Sequence, residues 1–366
     1  MKKAMLEPRH AVCMLIMYMI GSTVVIGVST EAKQDAWMSI LIATAYAVPI
    51  FFMYARIMKL YPEKDLYEIA ESVAGKVAGK VIIVLFTWYA LHLGALVLRN
   101  FVEFTQMNVL RETPRIAVMI VILSAVIYLV KSGVQTIGKL AVFCLVLFII
   151  VVIITVLGSI NQMETYYVLP VLSTKWGVML KDGYNIFTFP YAETVLFLTT
   201  AGAVRKQDNA YKIYLWSVLA AAAILIIIAV RNILILGPAM ASASYFPSFV
   251  AARIINIGDF FARIEGSISM NFIMSGIIKI SVCLFAATTG IAKLAGITDY
   301  KRVVFPVTLL MMALCEIVYK NLMEMFAWLS TYRMYAIPFQ LILPAFLWIV
   351  GEIKTAKAKK RGLSTN

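Results

Sequence analysis

The chain has 366 residues, of which 62% are hydrophobic and only 14% charged, with a mean hydropathy of +0.88. So few charges cannot cover a water-soluble globule of this size, which excludes a soluble enzyme or binding domain and leaves a polytopic membrane protein. The net charge of +14 does not point to nucleic acid, because the basic residues are spread along the chain in step with membrane topology. With His10 and His92 the only histidines, a multi-histidine metal site is excluded, and no metal or cofactor is expected. Cys13, Cys144, Cys283 and Cys315 stand alone in apolar runs and read as packing residues.

Ten apolar runs of membrane-spanning length follow one another, at about 11–29, 37–57, 81–99, 115–131, 138–160, 177–200, 211–236, 267–294, 303–319 and 335–352. The expected fold is therefore an all-α membrane protein of ten transmembrane helices in a single domain. It divides five plus five, with a first repeat over 11–160, a second over 177–352, and a basic tail over 353–366. The first run follows Lys2, Lys3 and Arg9, but it has no small-residue cleavage pattern and leads into nine more runs, so it reads as a span. An even number of spans puts both termini on one side. Segments on that side hold 21 of the 33 Lys and Arg residues, which the positive-inside rule assigns to the cytoplasm. The tail from Lys354 to Arg361 reads as a topology determinant, with attraction to anionic headgroups as the other reading.

In chain order, the first unusual element is Met19-Ile20-Gly21-Ser22-Thr23, inside the first run. Gly21 removes bulk and tolerates unusual dihedrals, and the hydroxyls of Ser22 and Thr23 suit freed carbonyls or a ligand. Close helix packing at Gly21 and Gly27 is the alternative. Between the second and third runs, Leu66, Ile69, Ala70 and Val73 recur at helical spacing, which predicts a short interfacial helix. In the third run Thr87, Trp88, Tyr89 and His92 form a polar-aromatic cluster. They suit a cavity wall, although a lone histidine is more often a packing group.

The sixth run holds Phe187-Thr188-Phe189-Pro190-Tyr191-Ala192-Glu193. Pro190 has no N–H and clashes with the preceding turn, so a kink or unwound stretch is close to forced. In hydrocarbon an unpaired backbone polar group is costly, so breaks of this kind survive inside protein or beside a ligand cavity. The two breaks head the two five-helix halves, the arrangement of inverted-repeat transporters. Half-helix ends carry opposite partial charges, and a zwitterionic amino acid fits such a pair of ends. The candidate ligand-binding residues are Gly21, Ser22, Thr23, Tyr89, Phe187, Phe189, Pro190, Tyr191, Glu193 and Ser275.

Two charges lie deep in apolar runs: Glu193 beside the second break and Lys279 in the eighth run. Such groups are functional or paired. Arg231 and Glu316 lie nearer run ends and read as snorkelling. The connection over 237–266 is long enough to cap something. No nucleophile-and-base constellation is present, so the chain is not expected to be an enzyme.

Ten spans, Asp35-Ala36-Trp37-Met38-Ser39, then Leu60-Tyr61-Pro62 with Leu66 to Glu71 and Gly75-Lys76, carry a resemblance. It continues through Phe189-Pro190-Tyr191-Ala192-Glu193 and the stretch from Arg263-Ile264-Glu265 to Ile278-Lys279-Ile280. In order and spacing, over nearly the whole chain, these resemble the B subunit of bacterial spore germinant receptors. The resemblance implies a leucine-transporter-type fold within the amino-acid/polyamine/organocation superfamily. It implies a multi-pass protein of the spore inner membrane, or bacterial cell membrane, that works with an A-type membrane subunit and a C-type lipoprotein. It also implies sensing of small amino acids, sugars or nucleosides. For Lys279 two readings stand: an ammonium in the place of the sodium ion between spans one and eight of related transporters, or a structural ion pair with Glu193 or another acid. The chain departs from the family pattern at Tyr191-Ala192, where Phe-Gly is common, and near Asn271, where an aromatic is common, so a relative's ligand does not carry over. The expected function is sensing of a small-molecule nutrient, most simply an amino acid, between the broken helices. The competing function is a cation- or proton-coupled amino-acid permease with Glu193 as the coupling group.

Overall fold

The computed structural model describes residues 5–21, 23–27, 31–205, 209–254 and 265–360. The first run forms α1 (Pro8–Ile20) and α2 (Thr23–Ile26), followed by α3 (Ala36–Leu60), α4 (Leu66–Asn108), α5 (Arg115–Ser132) and α6 (Val134–Gly158). The sixth run splits into α7 (Trp176–Ile186), a π-helical turn (Phe187–Tyr191) and a 3-10 stretch (Ala192–Ala203). Then come α8 (Ala210–Ala243), α9 (Pro247–Ile254), α10 (Glu265–Leu294), α11 (Val304–Ile317), α12 (Leu322–Ile337), a second π-helical turn (Pro338–Ile342) and α13 (Leu343–Lys360). Among the described residues, β-pairing is confined to one bridge, Leu6 with Val204.

Among the described residues seven helical segments are long and apolar enough to cross a membrane, and they contain the second to fifth, seventh, eighth and tenth runs. The ninth run is the shorter helix α11, and the first and sixth are broken into pieces. Two boundaries differ from the sequence expectation. The tenth run begins earlier, because apolar helix continues from Leu322 to Ala358 through the turn at Pro338. The third run belongs to a 43-residue segment that Gly75 (φ 82°) divides, leaving Leu66–Ala74 as the short helix that the spacing predicts. Its first turn is closed by a capping box: Asp65 accepts from the Glu68 N–H at 2.8 Å, and Glu68 accepts from the Asp65 N–H at 3.0 Å. Leu66, Ile69, Ala70 and Val73 are all buried, so this helix lays its apolar face on protein. Arg231 is also corrected: it is 3% exposed, held inside the bundle, and does not snorkel.

α4 and α10 form the centre. Their most apolar windows are 72% and 78% buried, against 28% for α6, which is the most hydrophobic of all and keeps its side chains outward as a lipid-facing helix does. Small residues bring the central pair together: a Cβ at Gly276 would lie 2.1 Å from the Phe101 ring, and one at Gly290 would lie 2.0 Å from Thr87 Oγ1. The connection after α8 does cap the first break, since Ser248 of α9 donates to the Val24 carbonyl of α2. Asp35 is buried and accepts from the Leu172 and Thr174 N–H groups at 2.7 and 2.9 Å, clamping the segment ahead of α7.

At the N-terminal end the broken helices are sealed together. The Leu6 N–H donates to Ala203 O at 2.6 Å, the Arg205 N–H donates to Leu6 O at 2.8 Å, and Glu7 pairs with Arg205 at 2.8 Å. At Gly202 a Cβ would stand 2.7 Å from Glu63 O, so the loop before α4 closes directly over this end.

Candidate ligand site

The first break lies on α10. The Gly21 carbonyl, freed from the helix, accepts from the Ser275 hydroxyl at 2.9 Å, and Thr23 donates back to Met19 O at 3.2 Å. A Cβ at Gly21 would lie 3.2 Å from Met17 O and 3.4 Å from both Lys279 Cδ and Ser275 O. Gly21 thus lets the break rest against the Lys279 stem; Ser22 lies outside the described residues. At the second break Phe189 leaves helical geometry (φ −138°, ψ 108°). Side chains of other helices take up the freed carbonyls: Gln340 donates to Thr188 O at 2.9 Å, Tyr54 to Ala192 O at 3.3 Å, and Tyr18 to Glu193 O at 3.3 Å. These carbonyls at the breaks are therefore met inside protein, as apolar surroundings require.

Between the breaks sits a buried ion pair. Lys279 and Glu193 are both fully buried, with Nζ 2.5 Å from Oε2. The other carboxylate oxygen accepts from the Tyr332 hydroxyl at 2.6 Å. Tyr332 shares a 2.9 Å hydrogen bond with Tyr89, whose hydroxyl also accepts from Gln340 Nε2 at 2.9 Å. The Lys279 ammonium lies 4.9 Å from the Phe189 ring centre and 5.2 Å from that of Tyr18, where the aromatic faces help to solvate its charge. One network therefore joins α10, the 3-10 stretch, α12, α4 and the second π-helical turn.

Above this network lies a cavity of about 320 Å³. Its walls include Glu31, Asp182, Asn185, Ser330 and Arg333, and its floor is Phe189 and Tyr332, whose rings meet edge to face at 6.2 Å. The wall residues come from α7, α12 and the chain after α2, so the cavity opens on the face opposite the N-terminus. Glu31 is held by Lys181 at 2.9 Å, and Asp182 accepts from the Ala32 N–H at 3.3 Å. Below the floor is a second space of about 20 Å³, mostly apolar, lined by Leu93, Val97, Asn100, Met325 and Trp328 together with Glu193. Phe189 and Tyr332 border both spaces.

Of the residues singled out from sequence, Phe189, Glu193, Lys279 and Tyr89 come together here. Ser275 lies one step away and serves the Gly21 carbonyl. Gly21, Thr23, Pro190 and Tyr191 line neither space. Phe187 packs on Tyr46 and Tyr184, with ring centres 6.4 and 6.2 Å away. The aromatic cluster of α4 divides, because neighbours on a helix point about 100° apart: Tyr89 turns inward, while Trp88 is 45% exposed and stacks on His92. Tyr332, Arg333, Asp182, Asn185 and Gln340 went unmarked. Polar residues three apart in the sixth run, Asp182 and Asn185, and the Tyr332-Arg333 pair in the apolar stretch after Leu322 were the available signals.

A helical bundle in which two interrupted helices meet against a central cavity has the architecture of leucine-transporter-fold membrane proteins. The solved structure of MHP1, a nucleobase-cation-symport-1 family transporter in a closed conformation with bromovinylhydantoin bound, superposes with a TM-score of 0.67 over 94% of this chain and 78% of that one, at 9% identity. MhsT in complex with L-phenylalanine gives a TM-score of 0.62 over 95% and 96% of the two chains, at 12% identity. Residues 5–325 match the spore permease family model, described as spore germination protein, and the chain belongs to that family. Spore germination protein KB of Bacillus subtilis (strain 168) is 25% identical over 98% of each chain. The putative spore germination protein YfkT of the same organism is 27% identical over 75% of each.

Proposed function

We propose that this chain is the nutrient-sensing, B-type subunit of a spore germinant receptor. In this reading it spans the spore inner membrane ten times as two inverted five-helix halves, 11–160 and 177–352, with both termini cytoplasmic and the cavity facing outward. The observation that carries the reading is the cavity of about 320 Å³ whose floor, Phe189 and Tyr332, rests on the Glu193–Lys279 pair. A small amino acid enters with its carboxylate toward Arg333 and its ammonium toward Asp182 and Glu31, the charge complements available there. A ligand shifts a conformational equilibrium only by its difference in affinity for the two states. Here that difference resides in the floor, since moving Tyr332 to receive a ligand removes a hydrogen bond from Glu193 and loosens the second break. The A-type subunit and the C-type lipoprotein receive the shift.

The test is germination of spores that lack this chain and then regain it, screened one nutrient at a time. Loss and recovery of the response to a particular nutrient is expected; an unchanged response spectrum in spores without the chain would overturn the reading. The solved neighbours are transporters, and this favours one alternative, an amino-acid permease with Glu193 as the coupling group. Gradient-dependent uptake of the labelled nutrient into proteoliposomes holding only this chain would favour transport over sensing.

A further inference from the structure

Behind the first break, away from the cavity, a further cation is buried. Arg231 of α8 is 3% exposed. Its Nη1 donates to Thr155 Oγ1 at 2.8 Å, while Nη2 and Nε donate to Asn232 Oδ1 at 2.6 and 3.2 Å. These are neutral acceptors. Among the described residues no carboxylate lies within ion-pairing distance of Arg231, and three of its five N–H groups account for all its hydrogen bonds. A lysine in such a place can shed its proton, but a guanidinium cannot, so its charge must be met by something other than the described carboxylates.

Beside Arg231 is a space of about 20 Å³ bordered by Val24, Phe148, Thr155, Ser248 and Asn271. It has room for one particle of about the size of water. Among the described residues no acidic side chain borders it. From Arg231 a polar chain continues to the broken helix: Asn232 Nδ2 donates to Ser248 Oγ at 3.0 Å, and Ser248 donates to the Val24 carbonyl of α2. We infer that this space is a binding site for a small monovalent inorganic anion of the halide class, chloride in ordinary media, which neutralises Arg231 between α6, α8 and α10 and thereby steadies α9 against α2. A nutrient carboxylate brings a carbon skeleton too large for the space. The rival neutraliser is the last turn of α6, where Thr155 sits and whose carbonyl ends carry partial negative charge.

The experiment is thermal unfolding of the full chain in detergent, titrated with sodium chloride against sodium gluconate at constant ionic strength. A ligand that binds only the folded state raises the midpoint in a saturable way. The expected result is an upward shift of several degrees in chloride, absent in Arg231→Gln and weakened in Arg231→Lys. Equal midpoints in the two salts for the natural chain, or an undiminished shift in Arg231→Gln, would overturn the site and leave the α6 carbonyls as the neutraliser. Should Arg231→Gln not fold, crystals of the natural chain soaked in bromide decide the question. An anomalous peak beside Arg231 supports the site, and no peak there refutes it. The nutrient reading stands or falls separately, since neither readout involves germination.

Discussion

Among the described residues three cations are buried; Arg99 has Glu103 at 3.0 Å, and the other two, Lys279 and Arg231, are met by different means. Lys279 has Glu193 at 2.5 Å, with Tyr332 on the far carboxylate oxygen, so charge and hydrogen bonds are both answered within the chain. Arg231, equally far from water, has a hydroxyl and an amide oxygen. The first arrangement is closed and ties the two breaks to the cavity floor. The second is incomplete in charge and lies behind the first break alone. A buried pair is strongly destabilised when one partner is removed, because the other charge is stranded, whereas a cation met by neutral groups strands no charge when it goes.

The largest expected effect follows from this contrast. Lys279→Met leaves the Glu193 carboxylate buried without its cation and should cost about 3–5 kcal/mol of stability. Adding Glu193→Leu should restore most of it, as measured by denaturant midpoints; a double variant no better than the single one would mean the pair does more than neutralise itself. Tyr332→Phe keeps the ring and removes a hydrogen bond to a charged acceptor, for a loss of about 1.5–3 kcal/mol. The same variant should move the nutrient dose-response curve, since it also alters the cavity floor; an unmoved curve would detach the floor from sensing. Arg231→Gln orphans groups on Thr155 and Asn232 but leaves no anion behind, so its cost should be about 1–3 kcal/mol and below that of Lys279→Met. The reverse order in unfolding experiments would break the comparison. Gly21→Leu presses on the Lys279 stem and the α10 backbone, an overpacking worth about 1–3 kcal/mol. Spores with that variant should hold the chain in the membrane at normal level and yet lose the nutrient response, measured by immunoblot and germination assay; a normal response would remove Gly21 from the mechanism.

The smallest effect is at the sealed end. A hydrogen bond from Arg205 holds the Glu7 carboxyl below its ordinary range. A carboxyl lowered in the folded state adds stability above its unfolded value, and that contribution is lost as pH falls through the folded value. The stability difference between the natural chain and Glu7→Gln should therefore be small at neutral pH and disappear in acid, as followed by unfolding midpoints across a pH series. A difference that persists in acid would place the effect elsewhere than the Glu7–Arg205 pair.

Much of the architecture was legible from local features. Apolar runs report where backbone must be helical to satisfy itself in lipid, and Pro190 forces a break wherever its neighbours end up. Charge depth likewise marked Glu193 and Lys279, because an ionisable group inside an apolar run needs a reason. The other half of the site was not legible. Tyr332 precedes the run assigned to the tenth span, and its hydroxyl gains meaning only from Glu193, 139 residues away. Arg231 was placed near a run's end by counting along the chain, whereas packing of α6, α8 and α9 around it sets its burial.

Hydropathy, proline chemistry and the sparing use of charge therefore determined by themselves that this is a helical membrane protein with two interrupted helices and two deep charges. Tertiary structure alone decided that Gly21 rests on α10, that Tyr332 and Gln340 complete the network at the second break, and that Arg231 meets no acid among the described residues. The physical reason is range: burial preference and backbone satisfaction act within a helix and leave a periodic trace. A charge or hydroxyl is answered by whatever distant helix packing brings within about 3 Å, and that leaves no trace in the neighbouring sequence.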